Sequence, residues 1–249
     1  LDITNYSQLK DSEINQFSQI PAKIDSKSLH TFFYNQTIMS ALLSKLFHYV
    51  LLTSAKYSID ESHAVKHSMD VLHFANNIMQ SETAKCPWLL NQERVIYVSA
   101  VVHDMCDKKY MNEKEGIRNI EEYLKEDLSP CEMNAVKLII STMSYSTVKK
   151  NGFPDLGPYA AAYHVVRESD LLAAYDFDRC LIYDLYSKNS NLEGAFKHAD
   201  DLFETRVLKH NEDGLFTTDY AKCESLILHS QALQRIQSWK NIMATAKGF

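Results

Sequence analysis

Six glycines and five prolines in 249 residues give this chain few places to turn sharply. Two-residue hairpins and phosphate-cradling loops both need glycine at positive φ. An all-β or doubly wound α/β fold is therefore disfavoured. The composition is 45% apolar, and the length suffices for one large core or two small ones. An all-α bundle of about eight to ten helices is predicted.

Turn signals divide the chain into helical stretches. Residues 1–27 are polar and weakly patterned, a short helix or irregular arm. Residues 27–54 carry Leu29, Phe32, Phe33, Ile38, Leu42, Leu43, Leu46 and Val50 at helical spacing. Asp60 reads as the N-cap of a helix to about residue 79, and Asn91 as the cap of one reaching residue 106. Residues 116–126 are helical or irregular. Ser129-Pro130-Cys131-Glu132 is a capping box with proline at the first helical position, opening a helix to residue 142. Residues 145–158, with Gly152, Pro154, Gly157 and Pro158, read as the longest loop. Helices follow over 158–187, with a bend near 176–179, then over 191–210 and 218–246. Residues 1–55 are assigned to an N-terminal arm and helix packed on the bundle, and 56–249 to one domain.

The formal net charge of −6 gives no electrostatic reason to hold a long nucleic acid non-specifically. A small phosphorylated ligand needs only a few local cations or a metal. Cys86, Cys106, Cys131, Cys180 and Cys223 are odd in number and lack a CxxC pair. That argues against a zinc ribbon and a disulfide framework, and it suits a reducing compartment, the cytoplasm or nucleus. The most apolar stretch, 37–55, is interrupted by Lys45 and His48, so no membrane span is expected. A homodimer stays open.

Chemistry gathers at four positions. Val71, Phe74, Ala75 and Ile78 follow His67 at +4, +7, +8 and +11, which puts His67 on a buried stripe. Ile96 and Ala100 precede His103 at −7 and −3, and Asp104 adjoins it near a helix end. Ala162, Tyr163, Val166, Ala174 and Phe177 flank Asp170 at helical spacing. Three helices thus turn metal-capable residues inward. A buried carboxylate is costly unless it is paired or bound to metal, and one divalent cation answers two acids and two histidines together. A single histidine on an apolar face is more often a hydrogen-bonded core residue, and His63, His73 and His164 are placed in that class.

The ordered set His67, His103-Asp104 and Asp170 resembles the HD superfamily of metal-dependent phosphohydrolases. More narrowly, His63-x-x-x-His67 with Val71 is similar to the "HDxxHxxRV" opening of a compact bacterial subfamily. Residues 102–108, Val-His-Asp-Met-Cys-Asp-Lys, are similar to its "HDxxDxK" segment, with Lys109 the other candidate for the lysine. Residues 142–146 are similar to its "I..iSyS" stretch, Glu168-Ser169-Asp170-Leu171-Leu172 to its "DADrLDA" helix, and Glu204-Thr205-Arg206-Val207-Leu208 and residues 217–222 to its tail. The similarity covers roughly residues 60–240. Asp70, Ser169, Leu171 and Ala173 depart from the pattern, at positions where substrate preference is read.

The resemblance implies one divalent ion on His67, His103, Asp104 and Asp170. Two imidazoles and two carboxylates with open positions suit octahedral manganese, iron, magnesium, nickel or cobalt, manganese being favoured. The implied reaction is metal-assisted hydrolysis of a phosphoester or phosphoanhydride, with nucleotides as the substrate class. Asp107 is the candidate proton acceptor and Lys108 its catalytic neighbour. Lys109, Tyr145, Lys149 and Lys150 are candidates for substrate binding. Against these stand a solvated helix end for Asp107, a wet surface for the paired lysines, and core packing for Tyr145 and Phe153. A two-metal oxygenase or phosphodiesterase would need more histidines than His164 between the dipeptide and Asp170. The rival reading from another class is a nucleotide sensor or interaction module that keeps its ion for structure. A metal-free structural bundle is the blandest.

Overall fold

Helical periodicity governs the chain wherever it is described. The computed structural model describes residues 26–246, and among them ten α-helices and four 3₁₀ turns occur and no strand. The all-α expectation holds. Two compact units divide the chain, residues 1–41 and 42–249. Of the first, only the start of α1 (Ser26–Tyr57) is described; residues 1–25 of the expected arm lie outside the described residues.

The boundary falls before residue 55 because the rest of α1 belongs to the core of the second unit. Leu42, Leu46, Tyr49 and Val50 are buried, and the Tyr49 ring lies 4.7 Å from that of Tyr123. By length and composition Thr37–Tyr57 also suffices to cross a membrane; here Leu46 and Val50 are fully buried in the bundle.

At the centre stand α2 (Val65–Glu82), α3 (Glu93–Val102) and, after α4 (Glu113–Leu124), α5 (Pro130–Thr142) and α6 (Tyr145–Asn151), the long helix α7 (Ala160–Ala173). Helices α2, α3 and α7 pack on one another, and α5 closes the far side of α3. Every residue from Val95 to Val102 is buried, so α3 has no wet face. Each fully buried aliphatic side chain there contributes roughly 1.5–3 kcal/mol. Helices α8 (Phe177–Ser187) and α9 (Leu192–Thr205) pair beside the core, and α10 (Asp219–Ala246) covers α2 and α7.

Boundaries agree best where the cap is explicit. Ser129 and Glu132 make the reciprocal capping box, and α5 starts and stops as expected. Asp60 does not cap α2, which starts only at Val65. Its carboxylate instead accepts bonds from the Ser62 amide at 2.9 Å, the Tyr110 hydroxyl at 2.8 Å and the Ser187 hydroxyl at 2.6 Å. The helix expected to reach residue 106 ends at Val102 and continues as a 3₁₀ turn, His103–Cys106. The expected loop over 145–158 opens with α6, capped by Ser144 and closed by Gly152 at φ 73°. The expected bend near 176 is a break between α7 and α8, where Asp176 caps the second helix.

Glu168 ties α7 to the start of α10. It is fully buried, and its carboxylate accepts bonds from the amides and hydroxyls of Thr217 and Thr218 and from Arg167. Five donors offset the desolvation of that charge.

His210 has no such help. It is fully buried among Tyr145, Tyr175 and Phe216, and neither ring nitrogen finds a hydrogen-bond partner. Burial pushes its pKa down to about 4, against about 6.5 in an unfolded chain. The unfolded state therefore binds the proton first. The stability that rests on a neutral His210 is present above about pH 6.5 and is lost as the pH falls toward 4, up to about 3 kcal/mol. His210→Phe should flatten the decline over that window in urea denaturation at stepped pH. An unchanged slope would assign the decline to other groups.

Candidate metal centre

Three helices deliver the ligands, each by a local device. His67 lies on the buried stripe of α2 with Val71, Ala75 and Ile78. The next residue, Ser68, donates its hydroxyl to the Val101 carbonyl at 2.9 Å. That carbonyl belongs to the last turn of α3, where helical partners run out, so the bond fixes α2 against the end of α3. The 3₁₀ turn that follows presents His103 and Asp104 side by side. His103 Nδ1 bonds the Ala100 carbonyl at 2.9 Å, which turns Nε2 toward the cluster. Gly116 of α4 lies under this turn, where a Cβ would stand 2.7 Å from the Cys106 Cα. Asp170 comes from the last turn of α7.

The four side chains converge. His67 Nε2 and His103 Nε2 are 3.2 Å apart. Asp104 Oδ2 is 3.3 Å from the first and 3.4 Å from the second. Asp170 Oδ1 is 3.3 Å and 3.6 Å from the same two atoms. His67, His103 and Asp170 offer ligand atoms within 4.8 Å of one another, a buried group able to hold a metal ion.

The charges in this cluster call for a cation. Burial pulls His67 down to about 4. It acts the same way on His103, but the Asp104 and Asp170 carboxylates outweigh it and hold that ring well above its ordinary value. Burial would raise both acids, yet the imidazoles keep them below the usual carboxylate range. Asp104 Oδ2 is buried, and its nearest donors are the two imidazole Nε2 atoms at 3.3 and 3.4 Å and Arg179 Nη2 at 3.7 Å. Glu168, in the same core, has five donors. Two imidazoles and two carboxylates whose atoms lie 3.2–3.6 Å apart fit a metal ion.

A cleft of about 190 Å³ opens on the cluster, and its lining includes His103, Asp104, Asp170 and four of the candidates, Asp107, Lys108, Lys109 and Tyr145. The Asp170 side chain keeps 26% of its surface exposed, so the opening is on that side. Asp107 holds the turn by accepting the Lys109 amide at 2.8 Å. Lys149 and Lys150 do not line the cleft. Lys149 is occupied with the Tyr145 hydroxyl at 3.0 Å and Asp213 at 3.6 Å, and Lys150 is exposed. Their loop is the helix α6, which points consecutive side chains in different directions. Phe153 lies against the Arg167 guanidinium at 4.7 Å. His63 is a buried, hydrogen-bonded core histidine as expected, and burial pushes its pKa down to about 3. His73 is exposed and bonded to Asn77, and His164 is half-buried.

Sequence reasoning missed Arg179 and the role of Arg206. The Arg206 guanidinium lies over the Tyr145 ring at 4.2 Å and enters the cleft. Arg206 falls in the tail segment that the family pattern singles out. Nothing local marks Arg179, whose anchor is the Ser62 carbonyl, 117 residues earlier.

Two outcomes test the geometry. Purified protein should bind one divalent ion per chain by elemental analysis and calorimetry, with His67→Ala and Asp170→Ala each abolishing it; a metal-free, fully folded wild type would exclude the site. Gly116→Ala should destabilise by about 1–3 kcal/mol, although alanine is the better helix former by ~1 kcal/mol. It should also weaken metal binding roughly tenfold or more, because the turn carrying His103 and Asp104 must move. Unchanged melting and affinity would show that α4 does not hold that turn.

No protein family profile matches this chain, and no curated protein matches it. Among solved structures, the fold is similar to that of a Lactobacillus plantarum protein determined as a structural-genomics target. The TM-score is 0.61 at 19% identity, over 82% of this chain and 97% of that one. The likeness concerns the fold alone.

Proposed function

We propose that this chain is an HD-type metal-dependent phosphohydrolase acting on a small phosphorylated substrate, most naturally a nucleotide. The observation that carries the reading is the convergence of His67, His103, Asp104 and Asp170 at a cleft whose lining also brings Lys108, Lys109 and Arg206 beside them. A divalent ion held by these four residues, manganese by preference, supplies Lewis-acid polarisation of a phosphoryl oxygen.

The other residues divide the remaining work. Lys109 and Arg206 neutralise the non-bridging oxygens of the phosphoryl group, which gain charge in the transition state. Lys108, exposed at the cleft, adds to that field. Asp107 accepts the proton of the attacking water. The water oxygen bonds to phosphorus as the bond from phosphorus to the leaving oxygen breaks, and that oxygen departs with the displaced electron pair.

One observation favours a second reading, a nucleotide sensor that keeps its ion for structure. Leu171 and Ala173 are buried apolar residues where the resembling family carries polar ones, and Asp70 is spent on a surface pair with Lys66.

A panel of nucleoside mono- and triphosphates with manganese, scoring phosphate and pyrophosphate separately, decides between them. The wild type should hydrolyse at least one member, and Asp104→Ala should lose activity by on the order of a hundredfold or more. Equal activity in that variant would refute the assignment. Inertness of a folded, metal-loaded wild type would select the sensor.

A further inference from the structure

Two cavities share the side chains of Lys109 and Arg206, and they differ in charge. The cleft already described has Asp104, Asp107, Glu113 and Asp170 in its wall. Its neighbour, about 240 Å³, is lined by Lys109, Arg179, Arg206, His63, Tyr183 and His198 among others, with no aspartate or glutamate among its described lining residues. Lys109 and Arg206 line both. In a chain of net charge −6, three permanent cations around one cavity form a local field that selects an anion.

Each of these cations has a partner that holds it, although the Lys109 side chain is 46% exposed. Arg179 Nε donates to the Ser62 carbonyl, and its side chain is only 18% exposed. Lys109 Nζ donates to His63 Nε2 at 3.0 Å. The other ring nitrogen of His63 is 3.1 Å from the Tyr110 hydroxyl, which donates to Asp60 at 2.8 Å. The segment Ser62-His63 therefore positions both Arg179 and Lys109. Arg206 is fixed by its stack on Tyr145. The carboxylate contacts of Lys109 and Arg179 are long, 3.4 Å to Asp107 and 3.7 Å to Asp104. Guanidinium and ammonium donors remain to grip phosphate oxygens.

We propose that this cavity binds a phosphate group, and that it takes the second phosphate of a substrate whose first lies at the metal centre. The substrate would then carry at least two phosphate groups. The substrate assignment rests on the phosphohydrolase reading; the anion site does not.

The anion site is tested on metal-free, full-length protein by calorimetric titration with inorganic pyrophosphate. Binding should weaken with ionic strength and fall roughly tenfold in Arg179→Gln and in Arg206→Gln. It should be unchanged in Lys150→Gln, and circular dichroism should show each variant folded. No binding to the folded wild type, or equal binding by the arginine variants, overturns the proposal. Of the two cavities Arg179 lines only the second, so on the manganese-loaded protein Arg179→Gln should raise KM more for compounds with two or three phosphates than for monophosphates. An equal rise for both removes the second-phosphate assignment. Pyrophosphate binding that needs both arginines, in a protein that hydrolyses nothing, keeps the site as one for a free phosphate-type anion and refutes the hydrolase reading instead.

Discussion

Two carboxylates, Asp104 and Asp170, enter a core walled by α2, α3 and α7, and their charge must be answered inside it. The same core solves this problem twice, in different ways. Glu168 is met by five hydrogen-bond donors from its neighbours. Asp104 and Asp170 are met by two imidazoles, of which His103 has its pKa held well above the ordinary value by these carboxylates, and by Arg179 at 3.7 Å from Asp104. Buried acids therefore do not all imply metal. What distinguishes the cluster is the convergence of two imidazoles and two carboxylates on one point.

The surrounding architecture serves this constraint. Ser68 fastens α2 to the last turn of α3. The change from α to 3₁₀ geometry at His103 sets two adjacent side chains on one centre. Gly116 lets α4 approach the turn more closely than any side chain would allow. Around the acidic centre the chain then gathers cations from three distant places: Lys109 after the turn, Arg179 on α8 and Arg206 after α9. Acidic side chains able to hold a metal ion and cationic walls thus stand side by side.

Much of this was legible before any coordinates. The apolar spacing around His67, His103 and Asp170 placed all three inward, because a helix repeats every 3.6 residues and one stripe faces the core. The capping box at Ser129 fixed a helix start because its two hydrogen bonds are local. Other signals were spent elsewhere. Asp60 has the character of an N-cap, but Tyr110 and Ser187, far along the chain, take its carboxylate. Gly152 and Pro154 marked a loop, yet Ser144 capped a short helix just before them. Lys149 and Lys150 read as phosphate ligands only while that segment was taken as a loop.

The sequence by itself determined the helical class, the inward set of two histidines and two aspartates, and the absence of the glycine needed for a phosphate loop. These follow from local preferences and from the period of a helix. Tertiary structure alone decided that Asp104 meets two imidazoles and Arg179, that Glu168 meets five donors, and that Arg179 and Arg206 join Lys109 at one cavity. Each of those depends on which groups meet across tens of residues, and residue spacing along one helix carries no record of that.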